Sequence, residues 1–100
     1  GLNELMSLPE LEYLRAELHQ LDAALIRLLS ERQRIACQIG KIKRDSGIPF
    51  EQADIWSSQC LERQKLALSN QVSPSLISEV FESIHRFSLA IQQQETKTDE

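Results

Sequence analysis

Between Pro9 and Gly40 the chain runs through residues 10–39 without a glycine or a proline. Over the same stretch apolar residues recur at Leu14, Leu18, Leu21, Leu25 and Leu28, then at Ile35, Ile39 and Ile42. The steps alternate four and three, the spacing of a packed helical seam. Ser7 with Glu10 reads as a capping box with Pro9 in the first turn, and Ser46-Gly47-Ile48-Pro49 reads as the stop. A helix over residues 9–45 would be about 55 Å long. That exceeds the diameter of a domain of 100 residues. Such a helix cannot be buried by its own chain, so a second chain is expected against it.

The rest of the sequence fits an all-α, three-helix chain forming one domain over residues 1–100, intertwined with a second copy. Apolar residues make up 41% and aromatics 5%, so the core must come from Leu, Ile, Val and Ala. Three glycines and three prolines leave room for few breaks. A second helix is expected over 51–69, ended by Asn70-Gln71-Val72, and a third over 74–94, opened by Ser73-Pro74. Thr96 to Glu100 reads as a frayed polar tail. A net charge of -4 argues against a nucleic-acid partner. No apolar run has the length of a membrane span or a signal peptide. Cys37 and Cys60 lack metal-ligand spacing, and the simplest reading is a reduced cytoplasmic protein that holds no metal.

One member of the seam is out of character. Position 32, where the spacing asks for an apolar side chain, is Arg32. A guanidinium there loses several kcal/mol in desolvation unless an anion meets it, by order of magnitude. The anion is either a carboxylate of another helix, such as Glu79 or Glu82, or a bound ligand. Lys43 favours the ligand. It stands eleven residues further on, within about 20° of the same face and about 16 Å along the axis. Two cations on one inner face, with no acid at matching positions, ask for a small anionic guest.

The third helix repeats the theme. Ile77, Phe81, Ile84, Phe87 and Ile91 form its apolar side, with Ser88 and Gln92 at the edge. Boundary Ser and Gln are commonplace, and only convergence with the two cations makes them site candidates. Arg15 is about 25 Å from Arg32 along one helix, too far to share a ligand within one chain, and reads by itself as an exposed residue. His19 and His85 have no metal or nucleophile spacing and read as surface or boundary residues. Without a phosphate loop or a nucleophile–base pair, any enzyme here must work by binding and electrostatics.

Leu14-Arg15-Ala16-Glu17-Leu18-His19-Gln20-Leu21-Asp22, then Leu28-Leu29-Ser30-Glu31-Arg32 and Ile39-Gly40-Lys41-Ile42-Lys43, resemble the all-helical (AroQ-type) chorismate mutase family. The resemblance extends through Leu61-Glu62-Arg63 and Phe81…Ser88…Gln92, nearly the whole chain. It implies an intertwined homodimer with two equivalent sites for a small dianionic acid and no cofactor. Arg32 and Lys43 would be the cations from the site's own chain, with Arg15 donated across the interface. Ser88 would lie near a substrate carboxylate, and Gln92 beside the ether oxygen. Lys43 and Gln92 would be the catalytic pair, stabilising charge on that oxygen as chorismate rearranges to prephenate.

The start of the second helix departs from the family. An acidic residue, then an arginine and a glutamate, usually contact the ring hydroxyl and a carboxylate there. Here the stretch is Phe50-Glu51-Gln52-Ala53-Asp54-Ile55-Trp56-Ser57-Ser58. Three explanations follow, in order. An ordinary mutase would use Gln52, Asp54 or a shifted Arg44 instead. A mutase for 4-amino-4-deoxychorismate would need a different ring contact. An isochorismate pyruvate lyase is third, with Ser88 against it. A non-catalytic helical binding or dimerisation module also fits a helical pattern, but gains nothing from cations on the seam.

Overall fold

The computed structural model describes the backbone of residues 2–98 and the side chains of residues 8–94. Three helices account for it: α1 over Leu2–Ser46, α2 over Ala53–Ser69 and α3 over Pro74–Thr98. No strand occurs among the described residues. The expected class and helix number are as observed, and three boundaries move by more than one residue.

The first helix begins seven residues earlier than the spacing predicts, with Pro9 inside it. Leu, Glu and Met in the preceding stretch are strong helix formers, and they carry the helix across a residue that lacks an N–H. Ser7 is therefore not at a helix boundary, and its side chain lies outside the described residues. At the other end Gly47, with φ 68°, turns the chain. Its N–H bonds the Arg44 carbonyl at 3.4 Å, and the Ile48 N–H bonds the Lys43 carbonyl at 2.8 Å. Left-handed backbone is where a glycine is needed to end a helix. Lys43 and Arg44 fall in the last turn, where cations complement the helix dipole.

The second helix starts at Ala53 rather than residue 51, because Gln52 is extended (φ -131°, ψ 97°) and serves as its N-cap. Its carbonyl accepts the first helical bond, from the Trp56 N–H at 3.0 Å. The expected break falls where Asn70-Gln71-Val72 stand. Gln71 takes φ 58° and the Val72 N–H bonds the Ala67 carbonyl at 2.8 Å. Ser73 then accepts the Leu76 N–H on its hydroxyl at 3.4 Å, ahead of Pro74. The third helix continues to Thr98, past the predicted end at 94, so the first part of the polar tail is helical. Asp99 and Glu100 lie outside the described residues.

The chain divides into two units, Gly1–Arg32 and Gln33–Glu100. The first is a single stretch of helix. Its seam is open to solvent, with Leu18, Leu21, Leu25 and Leu28 each 58–63% exposed. The second unit holds the end of α1 with α2 and α3. Trp56 of α2 meets His85 of α3, and Arg63 of α2 meets Phe81 of α3, so these two helices pack antiparallel. Its interior is small: Ala36, Gly40, Ala67 and Gln92 are buried, and no large side chain is fully enclosed among the described residues. No described helix is long and apolar enough to cross a membrane.

Candidate active site

The polar centre of the second unit is built on a close approach of two backbones. Gly40 of α1 faces Gln92 of α3. A Cβ placed on Gly40 would lie 2.9 Å from the Gln92 Cα and 2.9 Å from its Cβ. Real Cβ atoms do not pack so tightly, so α3 reaches this position only because residue 40 has no side chain. Three residues on, Lys43 stands on the same face of α1.

Its ammonium donates to the Phe50 carbonyl at 2.7 Å and to the Gln92 Oε1 at 3.4 Å. Gln92 itself is 6% exposed, the one buried polar side chain among the described residues. A buried amide is tolerable when its groups are paired, and here its carbonyl end faces a cation. The pairing also fixes which end of the amide faces Lys43. The Phe50 carbonyl is a contact that spacing does not foretell, because it comes from the irregular stretch after Gly47. The expected convergence of Lys43 with Gln92 is present.

Ser88 is half-buried one turn before Gln92 on α3. Gln52, the N-cap of α2, makes no side-chain capping bond. It lines an open cavity of about 460 Å³ together with Glu51, Trp56, Glu82, His85 and Arg86. Trp56 and His85 stack there, with ring centroids 4.0 Å apart and planes 26° from parallel. The Arg63 guanidinium lies 5.4 Å from the Trp56 ring and 4.4 Å from the Phe81 ring, holding the aromatic patch from its other end. So the stretch that departs from the family pattern contributes Trp56 to an aromatic patch completed by His85 and Phe81 of α3.

Arg44, a possible substitute cation, has its side chain 20% exposed and pairs with Asp45 at 3.8 Å. Of the first unit's two candidates, Arg32 is half-buried and Arg15 is exposed.

Sequence reasoning passed over Gly40, Trp56 and His85 as site residues. A lone glycine inside a helical pattern is a packing signal. His85 had a signal too, since it precedes Ser88 by three residues and Gln92 by seven, on the same stripe of α3. Trp56 stands in the stretch where the family carries an arginine and a glutamate, but nothing in the spacing of α2 says what it stacks on.

Residues 14–93 match the family described as chorismate mutase type II. The chain is similar to the T-protein of Enterobacter agglomerans, 32% identical over 79 residues, or 79% of this chain and 21% of that protein. It is also similar to the T-protein of Haemophilus influenzae, 31% identical over 84 residues, or 84% of this chain and 22% of that protein. The chain thus spans about a fifth of the length of these relatives. With the matched segment running from the seam of α1 to one residue beyond Gln92, the chain belongs to the chorismate mutase type II family.

Proposed function

We propose that this chain catalyses the Claisen rearrangement of chorismate to prephenate, as a homodimer in the cytoplasm whose sites each receive Arg15 from the second copy. The observation that carries the reading is the Lys43 ammonium beside the buried Gln92 amide, 3.4 Å from its Oε1. In the rearrangement one ether C–O bond breaks as one C–C bond forms, within a single molecule. No proton moves and no electron is exchanged with a cofactor. What a protein can supply is the folded conformation of the substrate and a response to charge building on the ether oxygen.

Lys43 and the N–H end of Gln92 are donors suited to that oxygen. Their bonds strengthen as the C–O bond opens, which stabilises the transition state more than the substrate. Holding the pair together beforehand on α1 and α3 avoids reorganisation at the moment of reaction. Arg32 and Arg15 are assigned to the two carboxylates on sequence grounds, with Ser88 and Gln52 as neutral partners. The exposed seam of the first unit supports the second copy, since Leu21 and Leu28 are 63% and 61% exposed within one chain. Both cysteines are free thiols, which fits a reducing compartment.

The 4-amino analogue is the second reading, favoured by Glu51 and Glu82, whose carboxylates line the cavity beside Gln52 and would suit a ring ammonium. Steady-state assays with chorismate and with 4-amino-4-deoxychorismate, products identified by mass, test both. Turnover of chorismate that vanishes in Lys43→Ala supports the first reading. Turnover confined to the amino compound supports the second, and none with either removes both.

A further inference from the structure

We infer that the turn Ile48-Pro49-Phe50 is a clasp that positions Lys43, and that the Phe50 main-chain carbonyl is the group that aims its ammonium. The inference rests on the proposal that this ammonium meets the ether oxygen.

Lys43 is bonded to the turn at both of its ends. Its own carbonyl accepts the Ile48 N–H at 2.8 Å, and its Nζ donates to the Phe50 carbonyl at 2.7 Å. The backbone between these two points has little freedom. Gly47, at φ 68°, leads into it, the Pro49 ring fixes one φ, and a residue before proline is biased to extended backbone. Phe50 is half-buried, and the Gln52 carbonyl two residues on is tied into α2 through the Trp56 N–H at 3.0 Å. A carbonyl in such a turn has no rotamers, so the chain itself sets its direction. The lysine it holds has many, and gives them up when bonded there.

The chemistry of the acceptors matters as well. The Phe50 carbonyl and the Gln92 Oε1 are both neutral, so they orient the ammonium without cancelling its charge. Arg44, the next residue, instead lies 3.8 Å from the Asp45 carboxylate. An ammonium has three N–H donors. With two directed at Phe50 and Gln92, tetrahedral geometry aims the third, and that one is left for a substrate oxygen. A donor held in this way needs no reorganisation as charge develops. The Gln92 contact is the longer, at 3.4 Å, so the Phe50 carbonyl is the stronger of the two anchors.

The test weakens that carbonyl without touching a side chain. The Phe50–Glu51 amide is replaced by an ester, in a chain joined from two synthetic segments at Cys60. An ester carbonyl accepts a hydrogen bond more weakly than an amide carbonyl. Two readouts are taken: kcat and KM for chorismate, and the acetylation rate of Lys43 relative to exposed Lys41, resolved by mass spectrometry. The expected result is a fall in kcat of about tenfold with KM within about twofold. Relative acetylation of Lys43 should rise about fivefold. Pro49→Gly, which frees the turn, should move both readouts in the same direction, and it decides if the ester chain does not fold. An unchanged kcat or a change confined to KM overturns the inference. So does a fall in kcat with the Lys43-to-Lys41 ratio unchanged, which would show the turn acting on the fold alone. If the wild-type chain does not turn over chorismate, the proposed reaction fails separately. The acetylation ratio then decides alone: a rise supports the clasp, and no change overturns it.

Discussion

Gly40 and Gln92 meet backbone to backbone, 2.9 Å separating a would-be Gly40 Cβ from the Gln92 Cα, and that approach places the Gln92 amide against Lys43. The pair of polar groups is thus set by an absent side chain one turn before the lysine. The obstacle to a Cβ at residue 40 includes backbone, which cannot rotate aside, so α3 itself would have to move.

Gly40→Ala should therefore separate the pair. Overpacking of this kind costs about 1–3 kcal/mol in stability, while a displacement near 1 Å can lower turnover about a hundredfold. A cycle with Gln92→Ala distinguishes positioning from general damage. If Gly40 acts through Gln92, Gly40→Ala should reduce kcat far less when Gln92 is already alanine. Equal losses in both backgrounds would show that the glycine matters for folding alone.

Gln92→Leu keeps the approximate volume and removes both ends of the amide. Lys43 retains its bond to the Phe50 carbonyl at 2.7 Å, so the lysine should stay near its place. The expected effect is a fall in kcat of about a hundredfold with little change in KM, the signature of an interaction made in the transition state. A change confined to KM would reassign Gln92 to ground-state binding.

At Gly47 the cost should be conformational. Its φ is 68° and an added Cβ would meet nothing within 4 Å, so alanine introduces strain without a clash. Gly47→Ala should lower stability by about 1 kcal/mol, or a few degrees in Tm for a chain of this size. A thermal melt followed by circular dichroism checks it.

Leu21 and Leu25 test the second copy. Both are about 60% exposed within one chain (63% and 59%), on the seam whose length first called for a partner. Leu21→Asp with Leu25→Asp should give monomers by sedimentation, with lost helicity and lost turnover. A dimer that survives both substitutions would place the interface elsewhere.

The helices were legible because their signals are local. The three–four spacing of leucines gives α1, Gly47 ends it, and Ser73-Pro74 opens α3. The start of α1 was misread because Pro9 is more often a first-turn residue than an interior one, and the helix-forming residues before it prevailed. In the site, Arg32 and Lys43 stood out as cations on one inner face, while Gln92, at the edge of an apolar side, became a candidate only by convergence with them. The Phe50 carbonyl could not, since it comes from irregular backbone and every residue has one. Trp56 and His85 lie on different helices, and their 4.0 Å stack depends on how α2 packs against α3, which no spacing within either helix records.

The most direct measurement is the rate at which the purified chain converts chorismate to prephenate, set beside Lys43→Ala under the same conditions. The account predicts turnover in the wild-type chain and a loss of about a hundredfold or more in the variant, with helicity and dimer mass retained. A folded, dimeric wild-type chain without turnover, or a Lys43→Ala variant as fast as wild type, would contradict it.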